Sequence, residues 1–149
     1  MYKNILVAID LSSDAASRVL AGAQEFARNS APDANLTVAH VVEPQYVQYS
    51  FDPTFTGSLT RSLESDALDT AARRVAELCE PFGIAPDCQQ VVLGRAADQI
   101  HQLARAQNVD LIVIGSHGHG GWRTLLGSTA NAVLHGAPVD TIVIRFQEQ

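Results

Sequence analysis

The residues best suited to chemistry lie in one stretch. It reads Gly115-Ser116-His117-Gly118, then eight residues, then Gly127-Ser128. The apolar run Asp110-Leu111-Ile112-Val113-Ile114 precedes it and a short helical pattern from Thr129 to His135 follows. A strand, a glycine-rich loop and a helix start, in that order, can cradle phosphate. Glycine lets the backbone approach an anion closely, and a helix start offers unpaired N–H groups at the positive end of the peptide dipole. The Ser128 hydroxyl can join them. A plain flexible connection between strand and helix would also carry glycines, so both readings stand at this level. The loop is not a Walker A motif, because no Gly-Lys-Ser/Thr occurs in it. Nor does a G-x-G-x-x-G fingerprint follow the first strand, where the chain reads Asp10-Leu11-Ser12-Ser13.

Other polar residues have narrower options. Asp10 can accept a hydrogen bond from a ribose hydroxyl, or it can cap the first helix. Val41 can offer its backbone to an adenine edge, or simply belong to the core. His117, His119 and His135 could suggest zinc, but zinc needs three or four ligands in fixed geometry, and a glycine loop is a poor frame for that. His40, in an apolar run, reads as a satisfied core histidine. His101 reads as lying on an exposed side of its helix. Trp122 and Arg123 can shield or pair with phosphates, or anchor the loop by packing. No Ser/His/Asp triad assembles and no general base stands out, so the expectation is a binding protein with at most slow hydrolysis.

These residues need elements to position them. Asn4 to Ile9 is a continuous apolar run, as expected for a strand covered on both faces. Ser12 or Ser13 can cap the helix that follows, in which Val19, Leu20, Ala23, Phe26 and Ala27 recur at helical spacing. Leu36 to Val42 is a second strand. Residues 43–57 hold Tyr46, Tyr49, Phe51 and Phe55 without a period, and such a long loop either covers the sheet edge or acts as a lid. From Ser58 to Glu80, Leu59, Leu63, Ala67, Ala71, Val75 and Leu78 form a stripe, and Pro81 and Gly83 end the helix. Gln89 to Leu93 is a third strand. Ala97, Ile100, Leu103 and Ala104 mark a third helix, and Asp110 to Ile114 is a fourth strand. Gly136 and Pro138 stop the short fourth helix, and Val139 to Arg145 is the fifth strand.

Strands alternating with helices imply an α/β fold: a doubly wound parallel sheet with right-handed crossovers and helices on both faces. Ligands of such sheets bind at the carboxyl ends of the strands. Asp10, Val41 and Gly115 all fall there, and Gly127 and Ser128 can fold back to the same edge. The 149 residues fit one domain, residues 1–149. The net charge of −6 without a basic cluster argues against a nucleic-acid surface. Cys79 and Cys88 match no metal or disulfide spacing. No signal-peptide pattern and no membrane-spanning run is visible, so no membrane association and a cytoplasmic location are expected.

The chain as a whole resembles the universal stress protein family. The resemblance rests on Asn4-Ile-Leu-Val-Ala-Ile-Asp10, Val38-Ala-His-Val41, Gly94 before the third helix, Val109-Asp-Leu-Ile-Val-Ile-Gly-Ser-His-Gly118, and Leu126-Gly-Ser128 leading to Ala137-Pro-Val139. It implies five strands in the order 3-2-1-4-5 and a homodimer through the last strand, Val139 to Phe146. It further implies an adenine nucleotide, ATP or else AMP or ADP, with Mg²⁺ as an optional companion. The residues implied are Asp10 at the ribose, the Val41 backbone at adenine, and Gly115, Gly118, Gly127 and Ser128 at the phosphates; Ala8, Ile114 and Thr129 complete the set. Family members have nine residues between Gly-x-x-Gly and Gly-Ser/Thr, whereas this chain has eight, His119 to Leu126. One residue fewer can move phosphate donors by up to roughly 3.5 Å. The implied role is a stress-response regulator or sensor. The competing role is a dimeric signalling or scaffold protein that binds no nucleotide and acts through a protein partner. An adenylating enzyme is disfavoured, since neither S-G-G-x-D-S nor H-I-G-H occurs.

Overall fold

A computed structural model describes residues 1–11, 15–44, 57–118 and 127–147, with side chains left out at 57–60, 117–118 and 146–147. The strands are β1 (Asn4–Ala8), β2 (Asn35–Val42), β3 (Gln89–Leu93), β4 (Leu111–Gly118) and β5 (Asp140–Gln147). The helices are α1 (Ala16–Ser30), α2 (Gly57–Cys79), α3 (Ala96–Ala106) and α4 (Ser128–Leu134). All strand pairs are parallel, and the sheet order is β3-β2-β1-β4-β5. This is the expected α/β architecture and strand order.

The central strand shows why the apolar runs are continuous. Ile5 and Val7 point to one face and pack with α1 and α2 through Val19, Leu20, Ala23, Ala71 and Val75. Leu6 points to the other face and packs with Ile100 and Ala104 of α3 and with Ala130 and Val133 of α4. Successive strand residues alternate faces, so a strand covered on both sides must be apolar at every position. Ile5, Leu6, Val7, Leu20, Leu111 and Ile112 are fully buried. Each such side chain contributes about 1.5–3 kcal/mol relative to exposure.

Chain breaks fall where local chemistry puts them. α2 stops at Cys79, and the tight turn Glu80–Phe82 carries Pro81 at its start. Gly83 follows at φ 68°, a left-handed conformation that a Cβ would strain. At the amino edge of the sheet the Asp110 carboxylate accepts from the backbone N–H groups of Lys3 (2.8 Å) and Asn4 (3.0 Å), tying the chain start to the head of β4. Among the described residues no helix is long and apolar enough to cross a membrane.

Three expectations change. β4 does not end at Ile114. Gly115, Ser116, His117 and Gly118 continue it, opposite Ile144, Arg145, Phe146 and Gln147 of β5, so pairing with a long neighbour turns the first half of the supposed loop into strand. His101 is buried, not exposed, and its Nε2 lies 2.6 Å from the Val133 carbonyl. The α2 stripe is buried at Ala71 and Val75, but Leu63 is 44% exposed. A helix of 23 residues is about 34 Å long and overhangs the strands it covers. α1 has Ala15 at its N-cap position. Ser12 and Ser13 lie outside the described residues, as do residues 45–56, His119, Trp122 and Arg123.

Candidate functional site

The sheet winds α1 to one face and α3 to the other, so a gap opens at the carboxyl ends of β1 and β4 where the two connections part. A cavity of about 570 Å³ lies there, within the usual size range of ligand sites. β1 and its extension contribute Ala8, Asp10 and Leu11, β2 contributes Val41, and β4 contributes Ile114 and Gly115. Gly127, Ser128 and Thr129 close the opposite side. The topology thus gathers these sequence-selected residues into one crevice. Gly118 ends β4, opposite Gln147.

Local hydrogen bonds fix the walls. Ile9 N–H donates to the Ala39 carbonyl at 2.9 Å, continuing the β1–β2 ladder past Ala8. His40 is half-buried rather than a core residue, and its Nδ1 lies 2.9 Å from the Ile9 carbonyl while the side chain borders the cavity. Glu43, just past β2, accepts the Ala96 N–H through Oε1 at 3.2 Å. Its carboxylate thereby takes over the capping that Arg95, the N-cap residue of α3, does not perform. Arg74 reaches from α2 and donates from Nη2 to the Leu11 carbonyl. The described charged lining residues are thus Asp10, Glu43 and Arg74.

The start of α4 is built with care. Ser116 is 3% exposed and extends the period-two series Ile112, Ile114, Ser116 on the α4 side of β4. Its Oγ accepts the Gly127 N–H at 3.2 Å. Gly127 has φ −55° and ψ 158°, a conformation open to any residue. No described atom lies within 4 Å of where its Cβ would stand. Neither backbone strain nor described packing requires glycine at this position. The bare backbone borders the cavity, with Ser128 and Thr129 exposed beyond it. The first N–H groups of a helix have no intrahelical acceptor, so they are available to an anion.

Sequence reasoning missed Arg74, Glu43 and Ser116. Arg74 and Glu43 reach the site only through tertiary contacts, and no local pattern marks them. Ser116 could have been found, because alternation with Ile112 and Ile114 places it on the buried α3/α4 face. Among the described residues, no three His, Cys, Asp or Glu side chains group as a metal site. The cavity offers backbone N–H groups of a helix start, the carboxylates of Asp10 and Glu43, the Arg74 guanidinium and an apolar wall that includes Val41, Ile100 and Ile114.

Comparison with known proteins agrees with this architecture. The profile of the Universal stress protein family matches residues 1–145. Universal stress protein A homolog 1 of Coxiella burnetii is 36% identical over 147 residues, covering 99% of each chain. The solved structure of universal stress protein UspA from Lactobacillus plantarum superposes with a TM-score of 0.67 at 29% identity, covering 97% of this chain and 98% of that one. A universal stress protein solved in complex with cAMP has the same fold, with a TM-score of 0.60 at 21% identity and 97% of each chain covered. With a family profile spanning nearly its whole length and a relative aligned end to end, this chain belongs to the Universal stress protein family.

Proposed function

We propose that this protein binds an adenine nucleotide, ATP or its mono- and diphosphates, in the carboxyl-edge cavity, and serves as a cytoplasmic stress-response regulator or sensor. One observation carries the reading: Gly127 leaves open space beside a cavity of about 570 Å³ where neither its conformation nor described packing calls for glycine. A ligand that approaches the backbone closely is what needs a missing Cβ. The family supplies further support, since one member is described in complex with cAMP.

In this reading the base meets the Val41 backbone between Ala8 and Ile114, Asp10 takes the ribose hydroxyls, and Gly115, Gly118, Gly127, Ser128 and Thr129 surround the phosphates. When Mg²⁺ accompanies the triphosphate, phosphate oxygens and water supply most of its ligands, as is usual for this ion. The role is binding, with at most slow hydrolysis. Titration calorimetry of nucleotide-stripped protein with ATP and Mg²⁺ tests it. Saturable heat and a raised melting temperature are expected; neither signal at millimolar ATP refutes the reading.

The dimer is a separate proposal. β5 ends the sheet order and is eight residues long, with Ile142, Val143 and Ile144 only half-buried. A long apolar edge strand invites a partner, and a second copy joined along it gives a symmetric pair. Such a pair would equally serve a signalling or scaffold role without nucleotide. Light scattering should report about 32 kDa, twice the 16.0 kDa chain, and a clean monomer refutes it.

A further inference from the structure

We infer that Ser116 is a positioning residue for the phosphate end of the site, its buried hydroxyl holding the Gly127 N–H at 3.2 Å and so setting how the first turn of α4 faces the cavity. The inference rests on the nucleotide-binding reading for its consequence, but its structural part stands independently. α4 has seven residues and buries only Ala130 and Val133. Among the described residues, its length of about 10 Å is held by one side-chain bond at each end. At the far end His101 Nε2 lies 2.6 Å from the Val133 carbonyl. At the near end stands Ser116, eleven residues before Gly127 in the chain.

Without the near tie, the helix start can pivot about the far one. The turn at Ser128 and Thr129, which lines the cavity, would then lose its fixed position. Ser116 itself touches no ligand in this account. It sits 3% exposed in β4, opposite Arg145 of β5, and the rigid sheet is what makes it an effective anchor. Its location in the Gly115–Gly118 segment connects the two halves of the glycine motif physically. The hydroxyl of the first half orients the first backbone donor of the second. It also fixes where Gly127 sits, despite the eight-residue spacing from Gly118.

The test has two arms. In the first, amide hydrogen exchange is followed by NMR in the ligand-free wild type and in Ser116→Ala. Exchange at Gly127 should quicken roughly three- to tenfold, the range for losing one neutral hydrogen bond, while amides of β1 hold. An unchanged Gly127 rate overturns the inference, and so does uniform quickening across the fold. In the second arm, calorimetry compares ATP with adenosine. Ser116→Ala should weaken ATP by roughly three- to tenfold and leave adenosine within twofold, with Ser116→Thr, which keeps the hydroxyl, restoring ATP. Equal loss for both ligands, or no loss for ATP, overturns it. If the wild type binds neither ligand, the function proposed above fails, while the exchange arm still decides whether Ser116 holds Gly127.

Discussion

Replacing Gly127 with alanine should leave the fold nearly as stable and still weaken nucleotide binding. Two terms set the stability of the free protein. Alanine restricts the unfolded chain, and at a compatible φ this stabilises by about 0.4–1 kcal/mol; the native φ of −55° is compatible. Alanine is also a poorer N-cap than glycine, by about 0.5–1 kcal/mol. With no described atom within 4 Å of the new Cβ, no steric cost is added, and the terms offset to within about 0.5 kcal/mol. For a domain of this size the melting temperature then moves by no more than about 2 °C. Binding responds differently, because the methyl occupies space beside the cavity where a phosphate would meet the backbone. Losing one charge-assisted hydrogen bond costs about 1.5–3 kcal/mol, at least roughly tenfold in affinity. At ATP one hundred times the wild-type Kd, ligand stabilisation is about 2.7 kcal/mol, and it falls to about 1.4 kcal/mol when Kd rises tenfold. Differential scanning fluorimetry with and without ATP reads both quantities. The ATP-induced shift should shrink by about 3–5 °C while the ligand-free transition stays put. A ligand-free loss above about 1 kcal/mol would show that the glycine serves the fold. An undiminished ATP shift would show that the phosphates lie elsewhere.

Three further outcomes follow from the packing. A Cβ on Gly22 would lie 2.6 Å from Cδ1 of Ile144; Ile144→Val removes that atom, so the stability lost by Gly22→Ala with Ile144→Val together should be smaller than the sum of the single losses by about 0.5 kcal/mol or more in urea denaturation, and simple additivity would contradict the contact. The Tyr2 hydroxyl donates to Asp140 at 2.8 Å, and this bond raises its pKa, with desolvation and the charges of Asp140 and Asp110 adding to it. The folded state thus favours the protonated phenol, a contribution present below the ordinary pKa of 10.0 and lost as pH rises through the higher folded value; Tyr2→Phe should flatten the alkaline fall in urea midpoint, and an identical fall in both proteins would remove the bond from the account. Burial raises the Cys79 thiol, whereas Cys88 is only half-buried, so native protein should alkylate first at Cys88, read by mass spectrometry, with both sites reacting in denaturant; faster labelling at Cys79 would contradict the packing.

The fold was legible because each strand is an uninterrupted apolar run and its punctuation is chemically explicit. Asn4 to Ile9 could be read directly, since both faces of β1 are covered, and Pro81 with Gly83 marked the end of α2. β4 was read too short because glycine has weak strand preference; what holds Gly115 and Gly118 in a strand is β5, far along the chain. His101 was misread on residue type, although its neighbour Ile100 and the turn mate Ala104 share its buried side. Leu63 fits the stripe of α2, but periodicity carries no information on where the sheet beneath a helix ends. The lining of the cavity was legible at Asp10, Val41, Gly127 and Ser128 because topology brings strand ends together. Arg74 and Glu43 were not, because each enters by one side chain crossing to another element.

The bond pair between Asp110 and the backbone of Lys3 and Asn4 has a consequence for synthesis. These partners are 107 and 106 residues apart, and β1 lies between β2 and β4 in the sheet. β1 therefore waits for a neighbour, β4, that is made about 106 residues later. At 5–20 residues per second the wait is about 5–20 s. During it, β1 and β2 can pair, yet the other edge of β1 stays an open template for stray strands. A fragment ending after α3 should remain caught in that state, with the backbone edge of β1 that Leu111 to Ile114 would pair left open. The interval between the synthesis of β1 and that of β4 thus leaves one edge of a central strand without its partner.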